Sequence, residues 1–294
     1  MFQNQDQFQF IESILFEILG HRPEVLDYQF LYGGNFNLAV RVQVAEGHFF
    51  VKWNNGEHEG MFEAEARSLQ LLQDTNTIQI PNVVAHGRRP DGDYLVMEFV
   101  PSGPQKDDYW ADFGKKLSAL HANTHRHFGL SYNNYVGALA QNNRPMENGI
   151  EFFIERRLKP QVSKSMQERK ISGYVKDAFE QFYEKLPDLI PNEKPALIHG
   201  DLWSGNVMTG ADGYVSLIDP AAYYGLRESE LAFTTLFGGF ENIFYETYYE
   251  ASPLEPGFAD RIPIYNLYPL MVHVNLFGGG YLSAVEKILK KLNG

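Results

Sequence analysis

Three polar side chains with a set spacing carry most of the chemical information in this 294-residue chain. Residues 197–206 read LIHGDLWSGN and place an aspartate and an asparagine in the pattern H-x-D-x4-N. Asp219 follows at the end of a later apolar run. Asp201 could accept the proton of a substrate hydroxyl, while Asn206 and Asp219 offer the oxygen ligands that Mg²⁺ prefers. The pattern therefore predicts transfer of a phosphoryl group from a metal-bound nucleotide to a hydroxyl.

The same spacing is that of a kinase catalytic loop followed by its metal-binding aspartate. Taken one at a time, Asp201 and Asn206 would be interpreted as turn residues, and His199 as a hydrogen-bonded core histidine. Their joint spacing favours catalysis over that interpretation. His199 is then expected to support the loop by packing and hydrogen bonding.

A lysine on an apolar strand is the second element of such a site. Lys52 lies in the segment FFVKW, where a charge needs a partner. In kinases a strand lysine contacts the nucleotide phosphates and pairs with a helix glutamate. The next helical pattern offers Glu65 on its apolar face and Glu63 on its polar face, since successive residues are about 100° apart. We therefore predict that Lys52 pairs with Glu65.

Two further segments are candidates for nucleotide contact. The segment Gly33, Gly34, Asn35 lies where a phosphate-covering loop belongs, although it would equally suit a plain hairpin. The second segment lies at the junction between the strand-rich first part of the chain and the helix-rich second part. Its backbone could hydrogen-bond an adenine edge. It consists of Met97, Glu98, Phe99 and Val100.

Composition excludes several classes of function. The formal net charge of −12 disfavours nucleic-acid backbones and anionic membranes as partners. The chain has no cysteine, which excludes disulfides, thiolate metal sites and thiol catalysis. Residues 1–6 do not resemble a signal peptide, and the longest apolar stretch, residues 267–280, is too short and too polar to span a bilayer. We expect a cytoplasmic protein without a membrane partner.

The order of secondary-structure patterns predicts an α+β, bilobal, protein-kinase-like fold. Residues 1–100 are expected to form a small lobe of antiparallel sheet with one key helix, and residues 101–294 a larger, mainly helical lobe. The sheet is predicted from alternating strand-like runs and the helices from apolar residues at helical spacing. The predicted helices of the larger lobe span residues 110–121, 150–166, 173–186, 231–249 and 281–292.

With these residues in place, the chain resembles the fructosamine kinase family (fructosamine/ketosamine 3-kinases), relatives of the aminoglycoside phosphotransferases. The resemblance covers nearly the whole length, and its most distinctive parts are the Trp-bearing catalytic loop and the Asp-Pro-Ala segment. The matching segments are residues 61–65, 117–121, 128–129, 199–206, 219–225, 227–228 and 267–278.

The resemblance implies an ATP- and Mg²⁺-dependent kinase whose acceptor is the sugar 3-hydroxyl of a ketoamine. The ketoamine would be a fructosamine, ribulosamine or erythrulosamine, either free or protein-bound, and its phosphorylated adduct would break down and reverse glycation. Trp203 would flank the sugar, although it could instead only pack the loop. Glu230 stands where the family usually has aspartate. It could support the catalytic loop, or be no more than an acidic residue at a helix start.

Other functions are compatible with parts of this pattern. An aminoglycoside or other small-molecule phosphotransferase would use the same base and metal ligands with a different acceptor pocket. A pseudokinase scaffold would bind nucleotide without turnover, but Lys52, Glu65, Asp201, Asn206 and Asp219 are all intact. A protein kinase is disfavoured because few residues separate Asp219 from Glu230, which leaves little room for an activation loop.

Overall fold

The computed structural model describes residues 4–31 and 37–294. The predicted phosphate-covering segment, Gly33, Gly34 and Asn35, lies outside the described residues. The first part of the chain forms one antiparallel five-stranded sheet of order β1-β2-β3-β5-β4 with two helices. Its elements are α1 (Asn4–Leu19), β1 (Val25–Phe30), β2 (Leu38–Val44), β3 (Gly47–Asn54), α2 (Met61–Gln73), β4 (Val83–Arg89) and β5 (Gly92–Glu98).

The sheet separates two apolar layers because successive side chains of a strand point to opposite faces. On β5, Tyr94 and Val96 pack in the cluster that contains the buried residues of α1. Leu95 and Met97 pack in the cluster that contains the buried face of α2. The alternation on one strand thus holds a helix on each side of the sheet.

The rest of the chain is mainly helical, with short strand pairs that carry loops. Its elements are α3 (Tyr109–His121), β6 (Asn134–Val136), β7 (Leu139–Gln141), α4 (Gly149–Phe152), a π-helical turn (Phe153–Leu158), α5 (Lys159–Gln167), α6 (Gly173–Leu189), β8 (Ala196–Ile198), β9 (Val207–Thr209), β10 (Val215–Leu217), β11 (Tyr223–Gly225), α7 (Arg227–Thr234), α8 (Asn242–Ala251), α9 (Phe258–Phe277) and α10 (Leu282–Asn293). The strands pair as β6-β7, β9-β10 and β8-β11, all antiparallel.

Two contacts attach α2 to the helical part. The Tyr135 hydroxyl donates a 2.8 Å hydrogen bond to the backbone oxygen of Glu59, just before α2 begins. Further along, the Arg67 guanidinium lies 3.7 Å from the centre of the Tyr132 ring. The apolar cluster beneath α2 also continues into the helical part. The boundary at residue 100 therefore stays a prediction.

Two helical predictions for the second part were incomplete. The predicted helix over residues 231–249 is broken between α7 and α8, where Gly238 and Gly239 have φ of +98° and +75°. Such left-handed conformations end a helix and suit glycine. Helix α9 was not predicted, because Pro263 and Pro269 obscure its periodicity. Among the helices of residues 4–31 and 37–294, none is both long and apolar enough to cross a membrane.

Candidate active site

The catalytic-loop motif lies in a sharp turn after β8. Gly200 has φ of +82°, and a Cβ at this position would lie 2.2 Å from the carbonyl oxygen of Ala221. Only glycine allows so close an approach of two backbone segments. The backbone N–H of Ala221 in turn donates to the oxygen of His199 at 3.0 Å. The loop is therefore held against the segment that follows Asp219.

Asp201 and Asn206 face each other across this loop. The amide nitrogen of Asn206 donates to the backbone oxygen of Asp201 at 2.8 Å and to its carboxylate at 3.1 Å. Burial raises the pKa of Asp201 to about 7, and the bond from Asn206 opposes that rise. A carboxylate with a raised pKa is a stronger base than an ordinary aspartate, which suits proton transfer near neutral pH.

Lys52 links the sheet, helix α2 and the second aspartate. Its Nζ lies 2.7 Å from a carboxylate oxygen of Glu65 and 2.5 Å from one of Asp219. Burial alone would lower the pKa of Lys52, but the two carboxylates outweigh burial and raise it. The Lys52–Glu65 pair is the one expected from helical geometry, and Glu63 is exposed. The role of these residues in nucleotide binding stays a prediction.

The backbone at Asp219 is unusual for a residue with a side chain. Its φ is +57°, in the left-handed region that non-glycine residues rarely adopt. Just before it, the N–H of Ile218 donates to the backbone oxygen of Asn206 at 3.1 Å. This bond brings the two predicted metal ligands together, Asn206 just before β9 and Asp219 just after β10. Strained backbone of this kind clusters at functional sites.

The donor set of Asn206 and Asp219 fits a magnesium ion. The amide nitrogen of Asn206 faces Asp201, which leaves its side-chain oxygen for a cation. The side chain of Asp219 is 41% exposed, so one oxygen can face the cavity while the other binds Lys52. Across the described ranges no cluster of three or more His, Asp and Glu side chains is built to enclose a metal. Two ligands suit Mg²⁺, which usually completes its shell with water and phosphate oxygens.

Glu230 supports the loop from helix α7. One carboxylate oxygen accepts the backbone N–H of His199 at 3.0 Å, and the other accepts that of Gly200 at 2.7 Å. His121 binds the same carboxylate at 2.9 Å. Burial alone would raise the pKa of Glu230, but these donors lower it. His199 also contacts the Ile218 oxygen through Nε2 at 2.9 Å, so both residues lie where a loop-supporting role requires them.

Shortening Glu230 to aspartate should weaken this support. The Glu230→Asp side chain cannot reach all three donors, and a buried donor left unpaired costs about 1–3 kcal/mol. We expect a lower free energy of unfolding and a kcat reduced by about tenfold to a hundredfold, because displacing a catalytic group slows reaction. Denaturant unfolding and steady-state kinetics measure both, with the exposed Glu63→Asp as control. A wild-type kcat in Glu230→Asp would show that catalysis does not require the carboxylate to bind all three donors at once.

The loop opens into a cavity of about 810 Å³. Lys52, Glu65, Asp201, Asn206 and Asp219 all line it. On the side of the sheet and α2 the lining also includes Leu31, Ala39, Phe50 and Met61. Beyond the loop it is mostly aromatic, and we call this part the aromatic end; it is formed by Trp203, Phe233, Phe237, Tyr268 and His273.

The predicted adenine segment is not part of this lining. Met97 is buried in the core, and the N–H groups of Glu98 and Phe99 already donate to the backbone oxygens of Asn82 and His48. Val100 is also buried. Contact of this segment with a base stays a prediction. Trp203, in contrast, lines the cavity with 38% of its surface exposed.

Sequence reasoning missed His121 and most of the aromatic end. His121 ends the apolar face of α3, and nothing local indicates that its partner lies 109 residues later. Phe237 and His273 have ring centres 4.8 Å apart but belong to different parts of the chain. The aromatic residues of 267–280 were the available signal, but the sequence predicted neither a helix nor a binding role for them.

The fold and this site together define the protein-kinase-like class. Residues 7–293 match the family model described as fructosamine kinase. The chain belongs to the fructosamine kinase family.

Individual relatives agree with that assignment. A probable ketoamine kinase of Synechocystis sp. is 38% identical over 262 residues, which are 88% of each chain. A chloroplastic protein-ribulosamine 3-kinase of Arabidopsis thaliana is 35% identical, over 87% of this chain and 79% of that protein. A candidate fructosamine-3-kinase of Haemophilus somnus has a crystal structure with a TM-score of 0.87, 29% identity and 97% coverage of both chains. An aminoglycoside phosphotransferase shares the fold, with a TM-score of 0.63, 15% identity and coverage of 96% and 99%.

Proposed function

We propose that this protein transfers the γ-phosphoryl group of ATP to the sugar 3-hydroxyl of a ketoamine. The observation that carries the proposal is the convergence of Lys52, Asp201, Asn206 and Asp219 on one cavity with an aromatic end. Relatives named for ketoamine and ribulosamine phosphorylation support this choice of acceptor. A phosphorylated ketoamine then breaks down, so the reaction would reverse glycation.

The five polar residues around the catalytic loop each have a role in this reaction. Asp201 accepts the proton of the attacking hydroxyl, and Asn206 holds its carboxylate in place. Lys52 binds the α- and β-phosphates and is kept in position by Glu65. When bound, Mg²⁺ would neutralise charge that develops on the transferred phosphoryl group. Asn206 and Asp219 are the residues that would hold it.

The aromatic end is the acceptor side of the cavity. An aromatic face suits the C–H side of a sugar, and Trp203 lies two residues from Asp201 in the catalytic loop. His273 and Phe237 continue this apolar lining away from the loop. A protonated amine is also attracted to aromatic faces. A ketoamine combines a sugar and an amine, so it matches both features.

A panel of acceptors tests the proposal. Purified protein with ATP and Mg²⁺ should convert ribulose-lysine and fructose-lysine to 3-phosphates, which NMR of the product identifies by position. Free ribose, free lysine and kanamycin serve as comparison acceptors, and GTP as the comparison nucleotide. Turnover of kanamycin but of no ketoamine would contradict the proposal and favour an aminoglycoside phosphotransferase. Nucleotide binding without turnover of any acceptor would favour a scaffold.

A further inference from the structure

Arg157 is a buried cation that the proposed reaction does not use. It is 0% exposed and lies in the π-helical turn between α4 and α5. Its guanidinium lies 3.8 Å from the centre of the Tyr223 ring and 4.6 Å from that of Phe152. Within the described ranges its hydrogen-bond partners are two backbone oxygens and one amide oxygen, not a carboxylate. Burying a charge without a carboxylate partner is costly, which suggests a functional reason for keeping Arg157. In addition, π-helical turns occur often at functional sites.

The guanidinium begins a chain of buried amides. Arg157 Nη2 donates to Oδ1 of Asn143 at 2.6 Å, and Nδ2 of Asn143 donates to Oδ1 of Asn134 at 2.7 Å. Nδ2 of Asn134 then donates to the backbone oxygen of Ala222 at 2.9 Å. Because a guanidinium can only donate, Asn143 must present its oxygen to Arg157 and its nitrogen to Asn134. Arg157 therefore determines which group donates and which accepts in every hydrogen bond of this series.

A branch of the chain ends at the aromatic part of the cavity. Nε2 of Gln141 donates to the same oxygen of Asn134 at 3.1 Å, which leaves Oε1 of Gln141 as an acceptor. The hydroxyl of Tyr268 donates to that oxygen at 2.5 Å. Asn134, Gln141 and Tyr268 are all buried. The orientation imposed by Arg157 thus reaches the Tyr268 hydroxyl through three amides.

The end points of this network are cavity walls. Tyr223 and Tyr268 both line the cavity, and so does Asn134. Arg157 lies against the ring of Tyr223, and its guanidinium is 5.9 Å from the ring centre of Tyr268. Arg157 itself is not among the residues that line the cavity. It can therefore act on a bound acceptor only through the two tyrosines and the amides.

We propose that Arg157 is a positioning residue for acceptor binding, which fixes Tyr223 and Tyr268 as one wall of the acceptor site. The assignment of this wall to the acceptor rests on the proposed function. Arginine suits the role because its planar guanidinium stacks on a ring and donates in several directions at once. Lysine keeps the charge but lacks the flat surface and the second donor arm.

Kinetics of Arg157→Met and Arg157→Lys test this role. We expect both to raise KM for ribulose-lysine by about tenfold to a hundredfold, because a displaced wall loses contacts with the acceptor. KM for ATP should stay within about twofold of the wild-type value. The kcat should change less than KM for ribulose-lysine, since the lost contacts bind the acceptor equally in the ground state and the transition state. Arg157→Lys should restore little of the affinity for the acceptor.

The control is Arg89→Met, which removes an arginine that bonds Ser13 and lies 5.8 Å from the centre of the Tyr94 ring. Arg89→Met should leave both KM values unchanged.

Tyr268→Phe keeps the test informative if Arg157→Met does not fold. This variant removes only the Tyr268 hydroxyl, which ends the hydrogen-bond network that starts at Arg157. We therefore expect a higher KM for the acceptor and an unchanged KM for ATP. In the Arg157→Lys/Tyr268→Phe double variant the two effects should not add, because both act through one network. Equal rises of both KM values, or a wild-type acceptor KM in Arg157→Lys and Tyr268→Phe, would overturn the proposal.

The same measurements separate this inference from the proposed function. Absence of wild-type turnover on every ketoamine contradicts the proposed function alone. If kanamycin is then the acceptor, its KM in the same variants still reports on the wall. Wild-type turnover of ribulose-lysine with unchanged KM in the variants contradicts the role of Arg157 alone.

Discussion

Asp201→Asn should lower kcat by about a thousandfold, within the range for loss of a general base. The neutral amide cannot take the proton of the attacking hydroxyl, although it keeps the size and position of the carboxylate. Because burial raises the pKa of Asp201 to about 7, the ionised form is costly in the folded protein. The variant should therefore unfold at the same or a higher temperature than the wild type. Steady-state kinetics with ribulose-lysine and thermal unfolding measure the two effects.

Asp212→Asn is the matched control for this change. Asp212 is exposed in the turn between β9 and β10, where its carboxylate accepts the N–H of Tyr214 at 3.0 Å. An asparagine can accept the same bond. Its kcat should equal that of the wild type. A kcat for Asp201→Asn within tenfold of wild type would show that another group, or none, removes the proton.

Lys52→Met should impair both nucleotide use and stability. Loss of a preorganised charge at the phosphates is expected to reduce kcat by about a hundredfold to a thousandfold. The substitution also leaves the carboxylate of Glu65, whose side chain is 12% exposed, without its partner. Breaking a buried ion pair from one side costs about 3–5 kcal/mol of unfolding free energy. Denaturant unfolding and kinetics at varied ATP concentration measure these losses.

The stability loss of Lys52→Met should depend on pH in a defined direction. Burial raises the pKa of Glu65, and Lys52 opposes that rise. Without Lys52 the folded protein binds a proton at Glu65 more readily than the unfolded chain does. Such a raised pKa contributes stability at low pH that is lost as pH rises. The deficit relative to wild type should be smaller at pH 5 than at pH 8.

The double variant Lys52→Met/Glu65→Gln distinguishes the two effects. Removing the unpaired charge should restore much of the unfolding free energy, because the penalty comes from the buried carboxylate. Activity should stay low, since the phosphates still lack their cation. Recovery of activity together with stability would mean that Lys52 has only a structural role.

The parts of the site that could be predicted from the sequence have local signals. The spacing of Asp201 and Asn206 predicted a shared loop, and the helical angle between Glu63 and Glu65 identified the partner of Lys52. Such inferences work because they use geometry within one element or one turn. The sheet and most helices were predictable for the same reason, as hydrophobic periodicity reports which face is buried.

The remaining parts depend on contacts between distant segments. His121 binds Glu230 across 109 positions, and Tyr268 binds Gln141 across 127. Neither residue has a local pattern that distinguishes it from an ordinary core side chain. Helix α9 was missed because its two prolines break the periodic signal, although packing against α7 and α10 holds it. The aromatic end of the cavity was therefore the least predictable part.

The attachment of α2 to the helical part has a consequence for control of activity. In switchable kinases the corresponding helix swings away and takes its glutamate out of reach of the lysine. Here Tyr135 bonds Glu59, two residues before the helix begins, and Arg67 at the middle of the helix stacks on Tyr132. These contacts keep Glu65 beside Lys52, so we expect that displacement of α2 does not switch activity off and that turnover is set by substrate concentrations instead.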